Sequence, residues 1–155
     1  MIDVGEWDQR VRQHLWHDLE AEHLHLAKVL DDVGNLVGQG SFETARRRFG
    51  EYRLAHERHI QAERKLEMFC AGVREVGSFL AQLQRERARV LEQSEKVWTC
   101  LCRERPGPVP RMLERLAGLV AKHGRAQRRL ILAELPLKPE LRDAQSVLLR
   151  RLGHL

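Results

Sequence analysis

The sequence predicts an all-α fold: an up-down-up-down antiparallel four-helix bundle with a short C-terminal helix, in a single domain over residues 1–155. Three observations predict it. The composition is helical, rich in Leu, Arg, Glu and Ala and poor in Thr, Ile and Tyr, with no alternating run of the kind a strand needs. Apolar residues recur in steps of three and four through four long stretches. Breaks carrying Gly or Pro part those stretches. A chain of 155 residues is long enough to bury one sizeable core.

The first helix is expected from Glu6 to about Val37. Its inward stripe is Trp16, Leu19, His23, Leu26, Leu30, Val33 and Val37, with His23 the single polar member. His14, His17 and His25 lie off that stripe and read as solvated surface. Gly38-Gln39-Gly40-Ser41 ends the helix, with a glycine near the C-cap and Ser41 as the next N-cap. The second helix runs from about Phe42 to Cys70, with stripe Phe49, Tyr52, His56, His59, Glu63, Leu66 and Cys70. Arg46, Arg47 and Arg48 open it as a solvated basic face or an anion or partner contact.

A turn near Ala71-Gly72 leads to the third helix, about Val73 to Arg103, with stripe Leu80, Leu83, Arg87, Val90, Ser94, Val97 and Leu101. The run Pro106-Gly107-Pro108-Val109-Pro110 is a strong break. The fourth helix, about Arg111 to Glu134, carries Leu113, Leu116, Val120, His123, Gln127 and Leu130 inward, and Pro136 and Pro139 end it. An amphipathic tail, Leu141 to Leu152, is expected to pack across one end of the bundle.

The polar residues on these stripes are not scattered. His23 and His59 are 36 residues apart, and so are Arg87 and His123. A shift of 64 carries His23, His59 and Glu63 onto Arg87, His123 and Gln127, and Leu26, Leu66 and Phe49 onto Val90, Leu130 and Leu113. Two copies of one helical hairpin would bring the six polar positions to one level of the bundle. His59 and Glu63 stand one turn apart on one face. A buried carboxylate without a partner is costly, so this level requires something cationic, either a metal or a basic side chain.

The pattern Glu22-His23 on a first helix, then His59-x-x-x-Glu63 followed by Leu66, with a second hairpin in the same phase, resembles the hemerythrin-like, or HHE cation-binding, family. The resemblance covers roughly Val11 to Pro136. It implies a four-helix bundle with a non-haem di-iron site used in oxygen binding, oxygen or iron sensing and related chemistry. Carried over position by position, the implied metal ligands are His23, His59, Glu63 and His123. Arg87 stands where the family has a histidine, Leu91 one turn on is no ligand, and Gln127 replaces the second bridging carboxylate. The implied cofactor is therefore one iron or zinc ion at a degenerate site, or none.

Imidazoles with one carboxylate can hold a single iron(II) or zinc ion, and His56 is a further ligand or supporting donor. The competing expectation is metal-free: the Arg87 guanidinium reaches Glu63 with charge-assisted hydrogen bonds, and neutral Gln127 adds no charge. The function expected is binding or sensing at a single metal ion, or, without the metal, a scaffold or interaction role. No acid–base pair beyond these residues is visible, so an enzyme is not expected.

The balance of 27 Lys+Arg against 22 Asp+Glu is basic but spread out. Arg46–Arg48, Arg125, Arg128, Arg129, Arg150 and Arg151 come with no nucleic-acid motif and little aromatic interleaving, so no specific nucleic acid is expected. A protein partner fits, as does a monomer or a homodimer joined through Trp7 and the apolar tail. Cys70, Cys100 and Cys102 make no disulfide framework, and the Cys100–Cys102 pair lacks zinc spacing. With no signal peptide and no apolar run near the ~20 residues of a membrane span, a cytoplasmic protein is expected.

Overall fold

The computed structural model describes residues 4–70 and 74–134. Four long helices account for nearly all of them: α1 Val4–Gly38, α2 Phe42–Phe69, α3 Gly77–Cys102 and α4 Val109–Arg129. A 3-10 turn over Arg74–Val76 precedes α3, and a π-helical turn over Leu130–Glu134 follows α4. The expectations for the side chain of Trp7, the turn at Ala71-Gly72, Pro136, Pro139 and the tail at 141–152 lie outside the described residues.

The breaks act as their chemistry dictates, with local corrections. Gly40 takes φ +75, the left-handed conformation that favours glycine, and turns the chain between α1 and α2. Ser41 stands at the α2 N-cap, but its side chain makes no capping bond; its N–H donates to the Leu36 carbonyl at 2.9 Å. The α3 helix begins at Gly77 rather than near Val73, because Arg74–Val76 winds as 3-10 first. The α4 helix begins at Val109, inside the proline run, with Pro110 in its first turn. The N–H groups there have no partner within the helix, so a proline costs nothing.

Two apolar clusters form the core. One holds Leu26, Val29, Val33, Phe49, Tyr52, Val90, Val97, Leu113 and Leu116, and the other Val11, Leu15, Leu19, Leu66, Leu83, Leu130 and Ile131. Burying one such side chain stabilises the fold by about 1.5–3 kcal/mol. The three apolar pairs related by the 64-residue shift, Leu26/Val90, Leu66/Leu130 and Phe49/Leu113, are all buried. Each helix passes from one cluster to the other, and the order alternates from helix to helix. α1 packs on α2 and α4, and α3 packs on α4 and α2. Among the described residues no helix is long and apolar enough to cross a membrane.

Candidate functional site: a buried histidine–glutamate–arginine layer

Between the two clusters every helix presents polar side chains. α1 brings Glu22 and His23, α2 His59, Glu63 and Glu67, α3 Glu86 and Arg87, and α4 His123 and Gln127. All but Glu67, which follows Leu66, lie between the last residue of one apolar cluster and the first of the other, and so arrive together.

Glu63 is the hub. Its side chain is only 4% exposed. Oε1 faces His59 Nε2 at 2.8 Å and His123 Nε2 at 2.9 Å, and accepts an N–H from Gln127 at 2.6 Å. Oε2 accepts from Arg87 Nη1 at 3.2 Å, and the same nitrogen donates to Glu67 Oε1 at 2.7 Å. Burial alone would raise the Glu63 carboxyl. The hydrogen bonds from His123 and His59 outweigh it and hold the group far below the usual carboxylate range.

The histidines divide by surroundings. Burial opposes charge on His59, yet its Nδ1 donates to Glu22 while Nε2 faces Glu63, and together they raise its pKa to about 9. His59 is therefore an imidazolium at neutral pH. His23 Nε2 lies 3.1 Å from His59 Nε2. Burial, then the neighbouring His59 and His123, push His23 down to about 4. A neutral His23 facing a protonated Nε2 keeps its own proton on Nδ1, which is buried with no hydrogen-bond partner among the described residues. That edge rests against Gly124, where a Cβ would come within 3.3 Å of Nδ1, so the absence of a side chain on α4 makes room for the ring.

The implied ligands His23, His59, Glu63 and His123 thus meet in one layer, joined by Arg87 and Gln127. His56 is buried beside them, with its ring stacked on Tyr52 and His59, but no hydrogen bond ties it to the layer. Two participants escape the stripe reading. Glu86 faces His123 Nδ1 at 3.4 Å, and Glu67 shares Arg87 with Glu63. The signal for Glu86 was present: the shift of 64 that relates His59 to His123 also relates Glu22 to Glu86. The hairpin repeat therefore includes the carboxylate behind each histidine.

A two-metal centre does not fit these residues. Gln127 stands in place of the second bridging carboxylate, its Oε1 buried with no hydrogen-bond partner among the described residues, and a guanidinium occupies Oε2 of Glu63. Among the described residues no group of three or more His, Cys, Asp or Glu side chains is arranged to hold a metal ion. Their donor atoms instead contact one another. No family model, curated protein or solved structure matches the chain.

Proposed function

We propose that the chain is a hemerythrin-like, up-down-up-down antiparallel four-helix bundle in which a metal-free ionic network fills the centre. It serves as a cytoplasmic binding or scaffold protein with a protein or small-molecule partner. The observation that carries this reading is the Arg87 guanidinium on Glu63 Oε2. Arg87 and the His59 imidazolium supply positive charge where a metal ion otherwise would, and Glu63, Glu67 and Glu22 balance it. The alternating passage of the helices between the two clusters supports the bundle topology. Cys70, Cys100 and Cys102 are free thiols, in keeping with a reducing compartment.

Metal analysis after reconstitution with iron(II) or zinc tests the proposal. The unaltered protein retains only a small fraction of an equivalent, while Arg87→His combined with Gln127→Glu takes up metal. An unaltered protein that holds a stoichiometric ion, lost in His59→Ala, overturns it.

One observation favours a second reading, a single iron or zinc ion on His23, His59, Glu63 and His123. Glu22 and Glu86 back the Nδ1 atoms of His59 and His123, turning both Nε2 atoms inward, as carboxylates behind metal-bound histidines do. A bound ion would supply a Lewis-acid centre there, in exchange for the hydrogen bonds that now join these groups.

A further inference from the structure

Charge is unevenly placed on this bundle. α1 holds seven acids and three cations, and all three cations, Arg10, Arg12 and Lys28, are taken up in ion pairs with acids one turn away. α4 is the reverse. It carries six cations against one acid, Glu114, a net charge of +5 that equals that of the whole chain. Five of the six, Arg111, Arg115, Lys122, Arg125 and Arg129, form one stripe that Gly118 completes in steps of three and four. Glu114 and Arg128 lie off it. All five cations are exposed, and among the described residues only Arg129 has an ion pair, with Glu134. At 1.5 Å per residue the stripe runs for about 27 Å.

α3 widens this face. Arg89 stands one turn from Glu86 and one from Gln93, whose side chains reach His123 and the Met112 carbonyl of α4. It adds a sixth exposed cation beside the stripe, again with no ion pair among the described residues. Glu92 of the same helix is taken up by Lys96.

The face offers a partner little but charge. The exposed large apolar side chains are Leu24, Phe42, Leu54, Met68 and Leu91, and none of them is on α4. A protein interface is anchored by aromatic and apolar side chains, and a helix that enters a lipid surface does so with Trp, Phe or Leu. Single-stranded nucleic acid is held by aromatic side chains that stack on its bases. The stripe has none of these. What it matches is a row of phosphates on a duplex, which Arg and Lys contact without reading the bases.

We propose that the exposed face of α4, with Arg89 beside it, binds the phosphate backbone of double-stranded nucleic acid without regard to sequence. None of these six cations takes part in the Glu63 network, so the inference stands apart from what fills the centre of the bundle.

The probe is a labelled DNA duplex, titrated with the full chain and followed by fluorescence anisotropy. The logarithm of the association constant should fall with the logarithm of salt concentration at a slope of about −2 to −4, as two to four phosphate contacts give. Two duplexes of unrelated sequence should bind within about twofold of each other. Arg115→Ala with Lys122→Ala, at the middle of the stripe, should weaken binding at least about tenfold at about 50 mM salt and make the slope shallower by about 1–2. The control is Arg58→Ala with Lys65→Ala, exposed on α2, which lies across the bundle from α4; it should leave both nearly unchanged. None of these four side chains has an ion pair among the described residues, so both variants should melt as the unaltered protein does, and the salt slope of the unaltered protein needs no variant. The proposal is overturned if the duplex does not bind, if binding is insensitive to salt, if the stripe variant binds as the unaltered protein does, or if the control loses as much. It is also overturned if phosphatidylserine vesicles or polyglutamate bind more tightly than the duplex at equal concentration of negative charge, which would make the partner a membrane or an acidic protein. No metal enters these measurements, so their failure is distinct from failure of the network reading.

Discussion

Replacing Arg87 with methionine removes the guanidinium while keeping most of the side-chain volume. The Arg87 side chain is 13% exposed and its partner Glu63 4%. Removing one member of a buried ion pair costs about 3–5 kcal/mol, because the other charge is left without its partner. Here the lower end applies. Glu63 Oε1 keeps three neighbours, His59, His123 and Gln127, and only Oε2 is stripped. Glu67, 21% exposed, can turn to water. The expected loss is therefore about 3 kcal/mol, a large share of the roughly 5–15 kcal/mol a domain has in total. Urea unfolding followed by far-ultraviolet circular dichroism at pH 7 measures it as a lower midpoint at unchanged slope. Thermal melting should fall by roughly 6–12 °C. Arg89→Met, on the exposed face of α3, is the control and should stay within about 0.5 kcal/mol. If Arg87→Met also stays within about 0.5 kcal/mol, the guanidinium is not part of a buried network and the reasoning fails.

Stability should peak near pH 6.5, with both limbs set by histidine. The folded pKa of His59 is raised to about 9, so its contribution is full below the unfolded value near 6.5 and is lost as pH rises through 9. His23 and His56 are lowered to about 4, so theirs is present above 6.5 and is lost as pH falls toward 4. Each is worth on the order of 3 kcal/mol, and chemical unfolding that shows no decline between pH 7 and 9 would contradict the His59 assignment. Gly124→Ala sets a methyl against His23 Nδ1; overpacking of about 1–3 kcal/mol should exceed the helix-propensity gain of about 1, and a net stabilisation would show that His23 does not rest there. Phe49→Ala should cost about 3–5 kcal/mol, against under about 0.5 for Leu54→Ala at an exposed position; comparable losses would place the core elsewhere.

The helical stripes and the polar layer were legible because burial imposes a strict period. A helix face that packs on a core must return every three or four residues, so His23, Arg87 and His123 stood out as interruptions. The Arg87–Glu63 contact followed from the repeat, since a carboxylate and a guanidinium at one level have little choice but to meet. Residues at the edge of a stripe were not legible from the helical period alone. Glu86 and Gln93 are nearly fully buried though each sits one position from an inward residue, and only the helix packing decides which side of the stripe is covered. The π form of the last turn before Glu134, where the fourth helix was expected to end, was not legible for a related reason. Leu130 and Ile131 are both fully buried, and a π-helical turn lets consecutive residues face inward where a 3.6-residue period allows one. The division of the histidines into charged and neutral was also beyond the sequence, because it depends on which carboxylate meets which ring nitrogen.

The most direct test of a metal-free centre is an X-ray structure of protein soaked in iron(II), with anomalous scattering recorded at the iron edge. The account predicts the Arg87 guanidinium on Glu63, with no anomalous peak in the layer. A peak bonded to His23, His59, His123 and Glu63, with Arg87 displaced, would contradict it.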